Sequence, residues 1–149
     1  MSKPAYFISD LHLGAQYRKA YPDREMLLHR LLDQVASQGS HLFILGDLFE
    51  FWMEYRSFIP KGHFRTLAAL ERLASRGVEV HYLSGNHDFN LGGFFREHLG
   101  VTVHAGPLEV TLQVKIQIHS VQWRKAYYIG KITQRERWDY ILKKCMFPR

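Results

Sequence analysis

Three short apolar runs, each breaking off into polar residues that can bind metal, set the rhythm of this 149-residue chain. Tyr6-Phe7-Ile8 runs into Ser9-Asp10, Leu42-Phe43-Ile44-Leu45 into Gly46-Asp47, and Val78 to Leu83 into Ser84-Gly85-Asn86-His87-Asp88. Apolar runs of this length, bounded by turn residues, read as buried strands. Two stretches with helical spacing lie between them. Asp23 is placed to cap a helix that runs to about Gln38, with Leu27, Leu28, Leu31, Leu32 and Val35 on one face and Gly39 ending it. A second helix covers roughly 63 to 76, with Phe64, Leu67, Ala68, Leu70, Leu73 and Ala74 inward and Gly77 closing it. A short helix near 92–98 follows, then strand-like stretches at 101–104 and 108–118. The order β-α-β-α-β with short links predicts an α/β fold: a mainly parallel sheet flanked by helices. In such sheets ligands bind beyond the carboxyl ends of the strands. Asp10, Asp47 and Asn86-His87-Asp88 fall at those ends.

Composition narrows the class. At 46% hydrophobic and 23% charged, the chain reads as one soluble globular unit, not as a disordered one. Its apolar runs are far too short to span a bilayer. Met1-Ser2-Lys3-Pro4 leads straight into a strand without an apolar signal core, so a cytoplasmic protein is expected. The single cysteine, Cys145, excludes an intrachain disulfide and fits a reducing compartment.

Charge adds a boundary. The net charge is +6, but residues 1–112 hold 11 basic and 12 acidic side chains, net −1, whereas residues 113–149 hold 9 and 2, net +7. A basic segment can meet nucleic acid, anionic lipid or a phosphorylated substrate. A solvated surface explains it equally well, so charge alone does not choose a partner.

The strand ends carry the chemistry. Asp10-Leu11-His12 aims a carboxylate and an imidazole at one spot, a mixture that suits manganese, iron or zinc better than calcium. Asp47 offers a carboxylate able to bridge two ions, and Asn86 a neutral oxygen. Each element alone is weak, since Asp-x-His recurs by chance and Gly-Asp is often only a turn. All three in order, each after a buried strand, make a much stronger signal.

Three stretches carry a family resemblance: Phe7-Ile8-Ser9-Asp10-Leu11-His12-Leu13-Gly14, Ile44-Leu45-Gly46-Asp47-Leu48-Phe49-Glu50-Phe51-Trp52, and Gly85-Asn86-His87-Asp88-Phe89. They resemble the first three motifs of the calcineurin-like metallophosphoesterases. The context from Leu48 to Trp52 and at Phe89 is similar to the UDP-2,3-diacylglucosamine diphosphatase branch. The resemblance covers residues 4 to about 119 and implies the amino-terminal part of an α/β/β/α sandwich. It implies two divalent ions, manganese first and iron or zinc next. Asp10 and His12 would bind the first ion, Asp47 would bridge, and Asn86 would bind the second. His87 would touch the phosphoryl group under attack, with Asp88 orienting it.

The resemblance weakens further along. Ile118-His119-Ser120-Val121 stands where the family has a His-Gly pair, so His119 is a candidate ligand of the second ion without the glycine. The last family motif, Gly-His-x-His, does not occur: no histidine follows His119. Residues 120–137 depart from the family, and Trp138-Asp139-Tyr140-Ile141-Leu142-Lys143-Lys144 returns to it. The expected division is therefore an incomplete core at 1–119 and a basic divergent tail at 120–149. Phe49, Phe51, Trp52 and Tyr55 could meet an acyl chain or a membrane surface, or pack in the core. Trp52 and Arg56 are candidate substrate contacts. His29, His41, His63, His81, His98 and His104 lack ligand spacing and are expected as surface or packing residues. The resemblance implies hydrolysis of the diphosphate of a phosphorylated glycolipid, with peripheral membrane contact possible. The rivals are a non-catalytic scaffold or fragment, and a phosphodiesterase acting on nucleotides or, less favoured, on nucleic acid.

Overall fold

The computed structural model describes residues 3–15, 23–105, 108, 117–121 and 127–132, the last two segments by their backbone. Strand β1 (Ala5–Ile8) leads to helix α1 (Arg24–Gln38) and strand β2 (His41–Leu45). A two-residue strand, β3 (Trp52–Met53), and a 3₁₀ turn at Lys61–His63 precede helix α2 (Phe64–Ser75). Then come β4 (Glu79–Leu83), β5 (Asp88–Asn90), α3 (Phe94–Leu99), β6 (Thr102–His104), β7 (Gln117–Val121) and β8 (Tyr127–Ile132).

Six strands form one sheet in the order β6-β4-β2-β1-β8-β7. β1, β2, β4 and β6 run parallel, and β8 joins β1 antiparallel. This is the mainly parallel, helix-flanked sheet that the alternation of strands and helices predicts. Alternate side chains divide its two faces. Tyr6, Ile8, Leu42, Ile44, Val80 and Tyr82 share one core with residues of α1, α2 and α3. Phe7 and Phe43 stack on the opposite face, with ring centroids 4.8 Å apart.

The helices bury narrower arcs than expected. In α1, Leu28, Leu32 and Val35 are buried, a stripe of one residue per turn, while Leu27 is 40% exposed on its flank. Gly39 ends α1 without a left-handed turn: its φ is −80°, and the close approach of Val35 and Tyr6 leaves no room for a Cβ. In α2, Thr66 and Ala69 are buried beside Leu67, Leu70 and Leu73. Phe64, expected inward, is 71% exposed. It opens the helix about 120° around the axis from Leu70, outside the buried arc. Gly77 does close α2 as expected, at φ +82°.

The expected boundary at 119/120 lies within the span of β7, and the backbone of β8 pairs with the edge of β1. Residues 109–116, Trp138 to Lys144 and Cys145 lie outside the described residues. Trp52, a candidate substrate contact, is a core residue. It is wholly buried, with its ring 4.9 Å from both Phe49 and Phe95, because pairing of β3 with β5 turns it inward.

Candidate metal centre

The carboxyl ends of β1 and β2 bring three of the expected donors together. One oxygen or nitrogen each from Asp10, His12 and Asp47 lies within 4.8 Å of the other two. All three residues hold left-handed backbone, at φ 55°, 47° and 52°. That region is costly for a residue with a side chain, and aspartate and histidine tolerate it better than most. The strain is held by neighbouring backbone. Asp10 N–H donates to Gly46 O at 3.2 Å, His12 N–H to Asp47 O at 2.9 Å, and Leu13 N–H to Leu48 O at 2.9 Å. Arg24 adds a clamp, donating to the carbonyls of Leu11 and His12 at 2.8 and 3.2 Å.

Two glycines let the loops close. A Cβ on Gly46 would lie 2.7 Å from Gly85 Cα, and one on Gly85 would collide with the carboxylate of Asp47. The β2 and β4 loops therefore touch backbone to backbone at the centre. Through that contact His87 N–H donates to Asp47 Oδ1 at 2.8 Å.

Asp88 is the buckle beneath. Its Oδ2 accepts from Asp47 N–H at 3.0 Å and Gly85 N–H at 2.8 Å, and its Oδ1 accepts from Tyr82 Oη at 2.8 Å. Burial, and then the adjacent Asp88 carboxylate, push the Tyr82 phenol well above its ordinary pKa, so it remains a donor. Asp88 was expected to orient the His87 ring. Among the described residues, the hydrogen bond of that ring runs from Nδ1 to the backbone carbonyl of Glu50, at 2.6 Å. Asp88 thus positions the Asp47 and Gly85 backbone, since its carboxylate oxygens are engaged by donors from below.

Glu50 is the residue that sequence reasoning passed over. Its carboxylate lies 2.9 Å from His12 Nδ1. A carboxylate accepts, so His12 carries its proton on Nδ1 and presents the Nε2 lone pair toward Asp10 Oδ1, 4.0 Å away. A carbonyl likewise accepts from His87 Nδ1, which leaves Nε2 as the nitrogen of that ring not held by Glu50. The two imidazoles meet edge to face, centroids 4.5 Å apart. One residue, through side chain and backbone, orients both rings. The only sequence signal was an acid three positions after Asp47, within a stretch already quoted for its aromatics.

The remaining candidates are less engaged. Asn86 is exposed in the turn between β4 and β5. Arg56 is exposed at the turn closed by Tyr55 and Phe58, and among the described residues no hydrogen bond or ion pair joins it to the centre. His119 pairs with Ile129 of β8, one step beyond the Phe7–Gly130 pair, which sets its backbone level with the carboxyl end of β1. His29 and His63 pack as expected. The His63 ring lies tilted against Phe49, centroids 4.3 Å apart, and burial lowers its pKa against an opposing pull from Glu25.

Two carboxylates and an imidazole converging at buried or half-buried positions form a donor set that fits a divalent transition ion. The polar loops, the close glycines and the oriented histidines fit the expected candidate metal centre. The chain belongs to the calcineurin-like phosphoesterase family, whose sequence model matches residues 3–141. Members of this family bind divalent metal ions. The chain is 34% identical over 116 residues to the UDP-2,3-diacylglucosamine hydrolase of Porphyromonas gingivalis, covering 78% of this chain and 44% of that protein. It is 37% identical over 107 residues to the hydrolase of the same name from Nitrosococcus oceani, covering 72% and 41%. It is 38% identical over 106 residues to that of Aeromonas salmonicida, covering 71% and 40%. The chain thus spans about two fifths of the length of these curated relatives.

Proposed function

We propose that this chain supplies the metal-binding half of a hydrolase that cleaves the diphosphate of UDP-2,3-diacylglucosamine. Water would add to one phosphorus, the P–O–P bridge would break, and UMP and the lipid monophosphate would leave. The observation that carries the reading is the convergence of Asp10, His12 and Asp47 at the ends of adjacent strands. The names of the relatives supply the substrate.

Asp10, His12 and Asp47 would hold the first ion, with Asp47 shared, and Asn86 and His119 would serve the second. Manganese is the favoured ion, ahead of iron and zinc. When bound, such a pair supplies positive charge to the phosphoryl oxygens and activates water. The chain's own residues do the rest. His87, anchored at Nδ1 by Glu50, would place a protonated Nε2 against the phosphoryl group and stabilise the charge that develops there or donate its proton. Asp88 would keep Asp47 and Gly85 in place through two hydrogen bonds, with Tyr82 holding its other oxygen.

Exposed Phe51, Met53, Tyr55, Phe58 and Phe89 support contact with an acyl chain or a membrane surface. Phe51 and Phe89 already pack together at 5.1 Å. No helix among the described residues is long and apolar enough to cross a membrane. A cytoplasmic protein touching the inner membrane peripherally fits these features. Arg56, at the rim of the same aromatic segment, is a candidate for the diphosphate.

The test is manganese-dependent hydrolysis of UDP-2,3-diacylglucosamine by this chain beside Asp47→Ala. Turnover that the substitution abolishes supports the reading. No turnover from folded protein would leave a half-site without activity of its own, and a scaffold role would then stand in its place.

A further inference from the structure

A second set of donors converges at the opposite end of the same sheet. His41 opens β2 and Glu79 opens β4, and the parallel register sets them side by side. His81 lies two residues on from Glu79, on the same face of the strand. His41 Nε2 is 3.6 Å from Glu79 Oε1, and His81 Nε2 is 3.9 Å from Glu79 Oε2. One donor atom from each of the three residues lies within 4.8 Å of the other two. A four-coordinate ion with bonds of about 2.0–2.2 Å holds its donors about 3.3–3.6 Å apart. The two histidine–glutamate distances, 3.6 and 3.9 Å, lie at or just beyond that range, and the Glu79 side chain is 68% exposed.

Both imidazoles are held from behind. His41 Nδ1 lies 2.8 Å from Ser40 Oγ, and His81 Nδ1 lies 3.1 Å from His104 Nε2. These contacts engage one nitrogen of each ring and leave Nε2 facing the glutamate, the arrangement that fixes ligating histidines elsewhere. His81 Nε2 is buried and has no hydrogen-bond partner among the described residues. Phe43 fixes the ring planes, parallel to His41 within 2° and to His81 within 11°. A buried imidazole nitrogen without a partner, aimed at a carboxylate just beyond hydrogen-bond range, lacks one atom between them.

We propose that His41, Glu79 and His81 form a second metal site, taking one divalent ion of the zinc class by two imidazoles and a carboxylate. Asp47 lies six positions after His41, just past the end of β2, so the site lies up to about 20 Å from the phosphoesterase centre at about 3.3 Å per residue. The ion would tie β2 to β4 at the amino end of the sheet, as a structural clamp. The competing account is a pair of His–Glu contacts across neighbouring strands with no ion between them.

The probe is cobalt(II), titrated into the full chain carrying Asp10→Asn and Asp47→Asn to disable the other centre. Calorimetry would give the stoichiometry, and visible absorption the coordination. One ion per chain is expected, with the strong absorption of a low-coordinate site. Glu79→Gln and His41→Gln should each weaken binding at least tenfold. His98→Gln, which removes an exposed histidine from α3, should leave it unchanged. Metal-free thermal melts check that each variant is folded. Absence of binding, binding indifferent to Glu79→Gln and His41→Gln, or equal loss with His98→Gln would overturn the proposal. If the double-asparagine chain does not fold, the unsubstituted chain must show a cobalt equivalent that Glu79→Gln removes, and its failure to do so is equally fatal.

Discussion

The helix-covered face of the sheet and the loops at its carboxyl end are built by opposite rules. On the face, Leu28, Leu32, Val35, Leu42, Ile44, Leu70 and Leu73 bury apolar surface among many neighbours. In the loops, Asp10, His12 and Asp47 sit on left-handed backbone, at a cost on the order of 1 kcal/mol or more each. Their positions depend on a few oxygens: Gly46 O, Asp47 O and the Asp88 carboxylate. Stability is therefore spread over the face, whereas the geometry of the metal centre is concentrated in single atoms. A change on the face should lower stability and spare the centre, and a change beneath the loops should do harm to both.

The largest effect tests the first half of that contrast. Leu70 is fully buried, and Leu70→Ala should destabilise the fold by about 2–5 kcal/mol through lost contacts and a cavity. Manganese affinity of the protein that remains folded should not change. Denaturant melts and a metal titration below the unfolding transition would measure both. A parallel fall in affinity would show that the core and the loops are one cooperative unit.

Asp88→Ala tests the other half. It strands the N–H groups of Asp47 and Gly85 and the hydroxyl of Tyr82. Each hydrogen bond to a charged group is worth about 1.5–3 kcal/mol, so a loss of about 3 kcal/mol or more is expected. Here metal affinity should fall as well, by tenfold or more, because Asp47 loses its anchor. Tyr82→Phe removes one of the three bonds and should reproduce a third of the stability loss with little effect on the metal. If Asp88→Ala costs stability alone, its carboxylate is an ordinary core polar group.

The contrast also explains which parts of the molecule were legible in the sequence. Asp10 with His12, Gly46 with Asp47, and Asn86-His87-Asp88 are neighbours on the chain at the ends of buried strands. Local pattern therefore singles these residues out as candidates, and the sheet follows from the same runs. What was not legible depends on long-range pairing. Glu50 reaches His12 across 38 residues, and the Asp88 carboxylate reaches Asp47 across 41. Trp52 resembled a substrate contact because it follows an acid and two aromatics, yet β3–β5 pairing carries it into the core. His41, Glu79 and His81 have no ligand spacing along the chain and meet only through the register of β2 with β4. Phe64 was misjudged for a different reason: helical periodicity gives an arc, but the sheet beneath decides how wide that arc is.

A smaller and cleaner effect is expected at Glu50. Its carboxylate sets the tautomer of His12 but bears little of the fold's burial. Glu50→Gln keeps the shape and can still accept through its amide oxygen, but loses the charge. Metal affinity should drop about 10- to 100-fold, the usual consequence of weakening the partner of a ligating histidine. Thermal stability without metal should move by less than about 1 kcal/mol, the net worth of one neutral hydrogen bond. A large melting shift with unchanged affinity would make Glu50 a strut for the β2 loop, and would remove it from the description of the centre.

The smallest effect is expected at another aspartate, and it sharpens the contrast by residue type. Asp23 occupies the N-cap of α1, where an aspartate commonly accepts from the backbone of the first turn, yet its side chain makes no capping bond. What joins it to the helix is its backbone carbonyl, which accepts from Leu27 N–H at 2.9 Å and which any residue would provide. Asp23→Ala should therefore cost less than about 0.5 kcal/mol, against about 1 kcal/mol for an aspartate that caps. The residue left to lose is its charge near the helix dipole, so the difference should shrink further in high salt. Chemical denaturation at low and high ionic strength would separate the two terms. A salt-independent loss of 1 kcal/mol or more would mean that the carboxylate does cap α1 in solution, and that this aspartate, like Asp47 and Asp88, acts through backbone N–H groups.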